Sequence, residues 1–135
     1  GGGGTQTSAI CAGGQLPPIQ TGTEEYDGSS WTAGGAVPVA RLSYISSAVN
    51  SDNAIIAGGE PPQFQTETFY YNGTAWADVG TDLVAGKGGT SAAGIGSGGM
   101  MASGGGSPGG SEATSTELVT SYPGNPVAAS TLTSS

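Results

Sequence analysis

The chain has 135 residues, of which 27 are glycine and 8 are proline, and its net charge is −8 with only two lysine or arginine residues. So few cations cannot neutralise nucleic-acid phosphates, which excludes a nucleic-acid-binding protein. No apolar stretch approaches the roughly 20 residues of a membrane-spanning helix, so we expect no membrane insertion. Strong helix formers are scarce and no segment has helical apolar spacing, which predicts an all-β fold.

A motif recurs along the chain with a step of 45 residues. An apolar run that ends in a glycine pair is followed by a tyrosine, an Asp-Gly or Asn-Gly pair and a tryptophan. The first copy has Gly13, Gly14, Tyr26, Gly28 and Trp31, and the second has Gly58, Gly59, Tyr71, Gly73 and Trp76. Glycine and proline this abundant also occur in disordered chains. Disordered linkers do not hold such a register, however, so the motif predicts folded repeat units.

A third copy of the motif is degenerate. Its apolar run at 99–104 keeps the step of 45, but the later residues match only after a Gly/Ser-rich insertion near residues 104–111. Val127 stands where the tryptophan is expected. We therefore predict three units, at residues 1–40 (partial), 41–85 and 86–135.

Each unit is predicted to contain four short strands. Ala54–Ala57 is an uninterrupted apolar run, as in a strand buried on both faces. Asn72-Gly73 between two strand-like runs predicts a hairpin with a type I′ turn, and Asp27-Gly28 repeats the signal in the first copy. Four short antiparallel strands per unit are typical of a propeller blade, which buries its faces only against its neighbours. In the second copy the predicted strands are 41–49, 54–57, 66–71 and 75–79.

The motif resembles the kelch repeat. A WD-type repeat has a similar period but needs histidine, which this chain lacks. Residues 4–7, 12–14 and 23–32, with Ala40-Arg41, look like a Gly/Thr-rich kelch variant that recurs in virion proteins of tailed phages, particularly those of aquatic cyanobacteria. The resemblance implies kelch-like β-propeller blades on a phage particle surface or appendage.

Three blades are too few to close a propeller, which takes four to eight. We therefore expect an incomplete propeller within this chain. Further copies of the chain, or the rest of a longer chain, would complete it. Other virion proteins are the expected neighbours.

Residues that could carry chemistry are few. The single cysteine, Cys11, lies in the apolar run where the second copy has Ile56, so we predict a small buried side chain. No carboxylate pair repeats in a register that suggests a general acid and base, and Glu24 and Glu25 point to opposite faces of a strand. Asp52 is better explained by a polar turn than by a calcium site. We predict no catalytic, cofactor-binding or metal-binding residue, and therefore no enzyme.

Three functions are open on the sequence alone. The first is a non-enzymatic virion structural protein: a fibre, neck or tail appendage, or a capsid decoration. The second is a glycan-binding adhesion domain of a larger surface protein, with a host-surface glycan held by loops 15–21 and 60–65, which proline pairs stiffen. The third is a fragment of a kelch-type oxidase whose copper ligands lie outside this piece. We favour the first.

Overall fold

The computed structural model describes residues 1–60, 63–89, 91–93, 100–103, 116–119, 121–122 and 125–126. Within these ranges the chain forms β-strands and no helix, which confirms the all-β prediction. Three predicted features lie outside the described residues: the second proline pair at 61–62, the Gly/Ser-rich insertion near 104–111 and Val127.

Consecutive strands form two antiparallel four-stranded sheets. The first sheet has the order β1-β2-β3-β4 and the second β5-β6-β7-β8, so each is a simple meander. The strands of the first sheet are β1 Gly2–Thr5, β2 Ser8–Gly14, β3 Gln20–Tyr26 and β4 Trp31–Gly34. Those of the second sheet are β5 Ile45–Asn50, β6 Asn53–Ala57, β7 Thr68–Tyr71 and β8 Trp76–Asp78.

A third sheet follows, with the order β11-β10-β9. A separate two-stranded pair, β12-β13, lies beyond it. The strands are β9 Ser91–Ala93, β10 Met100–Ser103, β11 Thr116–Val119, β12 Ser121–Tyr122 and β13 Asn125–Pro126. The three sheets fall within the units expected at 1–40, 41–85 and 86–135, whose boundaries stay predictions.

The four strands predicted for the second copy are present, and β6 is buried on both faces as expected. The first of them is shorter than predicted, because it begins at Ile45 and not at residue 41. Ser43 has a positive φ of 57°, which turns the chain before the strand starts. Leu42 makes only an isolated antiparallel bridge to Glu60. The segment ahead of β5 is therefore a connector and not part of the strand.

The two hairpins lie where predicted, at Asp27–Ser30 and Asn72–Ala75, but their turns are not type I′. That turn needs positive φ at both central residues. Only the glycines have it, with 97° at Gly28 and 86° at Gly73. In each turn the Oδ1 of the first residue accepts hydrogen bonds from the N–H groups of the third and fourth residues. This side-chain acceptor stabilises a four-residue loop in place of the two-residue turn.

The first and second sheets pack face to face, with β1 and β2 against β5, and β5 in turn lies against β9. Close approach of β1 to β5 depends on glycine: a Cβ built on Gly3 would lie 2.9 Å from the backbone nitrogen of Ala48. The Oγ of Ser46 joins the strands by accepting from the N–H of Gly2 at 3.0 Å. The Gly-rich start of the chain therefore serves contact between sheets.

Replacing Asp27 with asparagine should remove a pH dependence of the first hairpin. Hydrogen bonds from the backbone of Ser30 and then Ser29 lower the pKa of Asp27 from 3.8 to about 2. Because the folded-state pKa is the lower one, the stabilisation is present above about pH 4 and is lost as the pH falls through about 2. The amide NMR shifts of residues 29 and 30 should titrate near pH 2 in the wild type and stay flat in Asp27→Asn.

The second turn is the internal control, because asparagine already stands at its first position and does not titrate. Its amide shifts should therefore show no titration with a midpoint near pH 2. A wild-type midpoint near 3.8, the usual value for an aspartate, would contradict the role given to the Asp27 acceptor.

Candidate functional site

The interface between the first two sheets holds the hydrophobic core of the described structure. It is built from side chains that alternate along the strands, so that every second residue of β2, β6 and β7 faces the same gap. A connector at residues 36–44, between the sheets, adds three further apolar side chains. The buried cluster consists of Ile10, Ala12, Val37, Tyr44, Ala54, Ile56, Phe69, Tyr71 and Trp76, with Val39 and Ala48 packed against it.

Trp76 ties the outer part of the second sheet to the first. Its Nε1 donates a buried hydrogen bond of 2.9 Å to the Oγ1 of Thr23 on β3. Thr23 is 2% exposed and Trp76 is 8% exposed, so neither group has water as an alternative partner. Tyr71 packs against Trp76 with ring centroids 4.9 Å apart and ring planes tilted by 40°, a favourable aromatic contact.

The hydroxyl of Tyr71 joins the same two sheets a second time. It donates to the Oε1 of Glu25 on β3 and accepts from the N–H of Gly35 at 3.1 Å. Burial raises the pKa of Tyr71, and the hydrogen bond to Glu25 raises it further. A Cβ on Gly34 would lie 2.5 Å from the hydroxyl oxygen, so only glycine leaves room for this contact. The predicted opposite orientation of Glu24 and Glu25 is confirmed, since only Glu25 faces the second sheet.

An ion pair between the connector and the second sheet borders the interface. Arg41 Nη2 lies 2.5 Å from the Oε2 of Glu67, and the Arg41 side chain is 6% exposed. Tyr44 donates its hydroxyl proton to the carbonyl of Val39, which folds the connector onto itself. Burial raises the pKa of Tyr44 to about 12. The second sheet is thus held by an apolar centre with polar contacts around it.

The opposite side of the first sheet is not covered by any described residue. We call this surface, formed by Ala9, Cys11, Glu24, Tyr26 and Trp31, the open face. Trp31 is 50% exposed there. Cys11 is also exposed, so the prediction of a buried cysteine is wrong. Its counterpart Ile56 is buried because the first sheet covers it, and none of the described strands forms a corresponding sheet over Cys11.

The structure separates the predicted repeat positions into two roles. The glycines lie at strand ends and turns: Gly13, Gly28, Gly58, Gly59 and Gly73 all have positive φ, and Gly14 ends β2. The aromatic residues form a Tyr71–Trp76 pair inside the interface and a Tyr26–Trp31 pair on the open face.

Four residues of the interface were not predicted from the sequence: Thr23, Glu25, Arg41 and Glu67. The repeat gave a signal for one of them. Thr23 and Thr68 are separated by 45 residues and both are buried, at 2% and 0% exposure. Arg41 and Glu67 are separated by 26 residues, and only the fold of the connector brings them together.

The described residues contain no group of three or more histidine, cysteine, aspartate or glutamate side chains that could hold a metal ion. In the loop at Asp52, the Oδ1 of Asn50 accepts a hydrogen bond of 3.0 Å from the backbone N–H of Asp52, as in a polar turn. None of the described residues forms an apolar helix of membrane-spanning length.

The Trp76→Phe variant should be destabilised by about 2–4 kcal/mol, because it leaves a buried Thr23 oxygen without its donor and opens a small cavity. Trp31→Phe is the matched control from the other repeat copy, and its cost should stay within about 0.5 kcal/mol because the ring is half exposed. Urea unfolding measures both.

Adding Thr23→Val to Trp76→Phe should cost less than the sum of the two single changes, since no polar group is then left unpaired. Equal destabilisation by Trp31→Phe and Trp76→Phe would show that the buried hydrogen bond contributes nothing.

No protein-family model matches the chain, and no curated protein does. Solved structures of similar fold include that of YjhT, which superposes with a TM-score of 0.71 at 18% sequence identity over 87% of this chain. The chain spans 41% of the length of YjhT. At this identity the likeness is one of fold.

Proposed function

We propose that the chain is a non-enzymatic structural module whose sheets are kelch-like β-propeller blades, and that it forms part of a tailed-phage virion. The supporting observation is where the residues of the repeated motif lie in the structure. The tyrosine and the tryptophan of the second copy both lie in the joint between one sheet and the next, and Gly59 lies against the connector that borders it. Residues that repeat for this purpose favour an extended rigid scaffold over a site for chemistry.

The virion context rests on the resemblance of the first copy to Gly/Thr-rich kelch repeats. The surface charge agrees with it: a chain with ten acidic and two basic residues stays soluble and resists adsorption to anionic cell surfaces. A fibre, neck or tail appendage, or a capsid decoration, is the corresponding position.

Labelling of purified phage particles tests this function. A Fab fragment raised against the exposed turn at residues 27–30 should decorate an appendage or the capsid surface in electron micrographs. The same Fab should not bind particles when the turn sequence is replaced by that of residues 72–75, which has the same geometry and different side chains. Absence of the chain from purified particles would overturn the virion assignment.

A second candidate, glycan-binding adhesion, is favoured by one feature of the first loop. Leu16 is 66% exposed beside a cleft of about 490 Å³ between residues 15–19 and Leu42. Glycan-array binding by the wild type that is lost in Leu16→Asp would support it, with Val84→Asp as an equally exposed control (75%). No binding by the wild type would remove this candidate.

A further inference from the structure

The open face of the first sheet repeats the face of the second sheet that is buried. In the second sheet Ala54 pairs with Tyr71, which pairs with Trp76. In the first sheet the residues 45 positions earlier, Ala9, Tyr26 and Trp31, pair in the same register. The two aromatic pairs match as well, with centroids 5.1 Å apart in the first sheet and 4.9 Å in the second. The open face therefore has the geometry of a surface that receives a sheet.

Trp31 lacks the partner that Trp76 has. Among the described residues no acceptor reaches its Nε1, whereas that of Trp76 donates to Thr23. A sheet placed on the open face as the first sheet lies on the second would bring a side chain at the Thr23 position to this nitrogen. A hydroxyl there would complete the bond.

Charge on the open face specifies the partner further. Glu24 stands at the position of Phe69, which is 4% exposed beneath the first sheet. Covering Glu24 removes a carboxylate from water, and only a cation or several donors offset that cost. In the second sheet the preceding connector supplies a cation at this edge, since Arg41 binds Glu67. The position 45 residues before Glu67 is Gly22, which lies about 7 Å along the strand from Glu24, within reach of an arginine.

A cleft of about 320 Å³ opens at this point of the open face, between Cys11, Gly22 and Glu24. A Cβ at Gly22 would meet no atom within 4 Å, so the space is vacant on the sheet itself. Gly14 also lines the cleft and corresponds to Gly59 of the second sheet. A Cβ on Gly59 would meet Arg41 and Tyr44 at 3.2 Å, so the Arg41 connector fills the corresponding space there.

A second copy of this chain does not supply the required groups. Its only two lysine or arginine residues, Arg41 and Lys87, are buried at 6% and 0% exposure. The face with Thr23 is already covered by its own second sheet. In the third sheet the position opposite Ala102 is Glu117, where the earlier sheets have threonine, so a carboxylate stands at that register position.

We propose that the open face is a docking surface for a separate β-sheet unit of this repeat, one whose connector carries a lysine or arginine to Glu24 and whose third strand offers a hydroxyl to Trp31 Nε1. The proposal rests on the structural function proposed above. The open face is then the surface through which this chain contacts its neighbour, and the charge of Glu24 and the indole N–H of Trp31 select that neighbour.

An extended chain tests the docking surface. Residues 1–45 are duplicated directly ahead of Gly1, so that the added repeat carries its own Thr23 and Arg41 at the spacing of the natural repeat. Cys11→Ser in the added repeat leaves one thiol, that of Cys11 on the open face. We expect its rate of alkylation by N-ethylmaleimide to fall about 100-fold relative to the unextended chain, because modification then requires local opening.

Two further changes test the charge requirement. Arg41→Met in the added repeat should return the alkylation rate at least about tenfold toward that of the unextended chain, since Glu24 is then covered without a cation. Glu24→Phe on the open face should restore protection in that variant, because it reproduces the residue of the second sheet. The cycle separates loss of the ion pair from general damage to the added repeat.

Three results would overturn the proposal. A thiol as reactive in the extended chain as in the unextended one shows that the open face does not receive a repeat sheet. Protection that survives Arg41→Met, unchanged by Glu24→Phe, shows that charge does not select the partner. Self-association of the unextended chain in sedimentation, with a protected thiol, makes a second copy the occupant. Each result leaves the virion assignment standing, because particle labelling measures that separately.

Discussion

One buried hydrogen bond, from the indole of Trp76 to the hydroxyl of Thr23, fixes how the first and second sheets pack together. Each sheet is a thin meander with two faces and cannot bury both by itself. A purely apolar contact would allow the sheets to slide, because hydrophobic burial has no direction. A bond between two groups that are both withheld from water fixes one position, since any shift leaves a donor or an acceptor unpaired.

The composition of the chain follows from this constraint. Sheets that lie close enough for Tyr71 to reach Glu25 and the backbone of Gly35 leave no room for a Cβ at Gly34, and β1 meets β5 under the same limit. Glycine is also abundant in disordered chains. In this chain it serves order, because it lets two sheets pack closely. One charged pair, Arg41 and Glu67, closes the gap beside the apolar centre.

The sequence predicted the strands well because their signals are local. The apolar run of β6, the glycine ends and the 45-residue step needed no knowledge of neighbours. The turn type was wrong because the Oδ1 atoms of Asp27 and Asn72 compete with the strand ladder for the same N–H groups. The burial of Cys11 was wrong because burial depends on what lies over a face. The contacts of Thr23 and Arg41 were missed because they join residues of different sheets.

Comparing equivalent positions of the two copies shows which features belong to the repeat and which depend on what covers each sheet. Tyr26 and Trp31 keep the spacing and register of Tyr71 and Trp76, although the described residues cover only the latter pair. The geometry therefore belongs to the repeat itself. Positions that change between the copies, such as Phe69 to Glu24, then report on what each face meets. An apolar residue suits a face covered by its own chain. A carboxylate at the same place suits exposure to water, or contact with a cation. The first sheet therefore selects its neighbouring sheet by charge, whereas the second sheet is covered by its own chain.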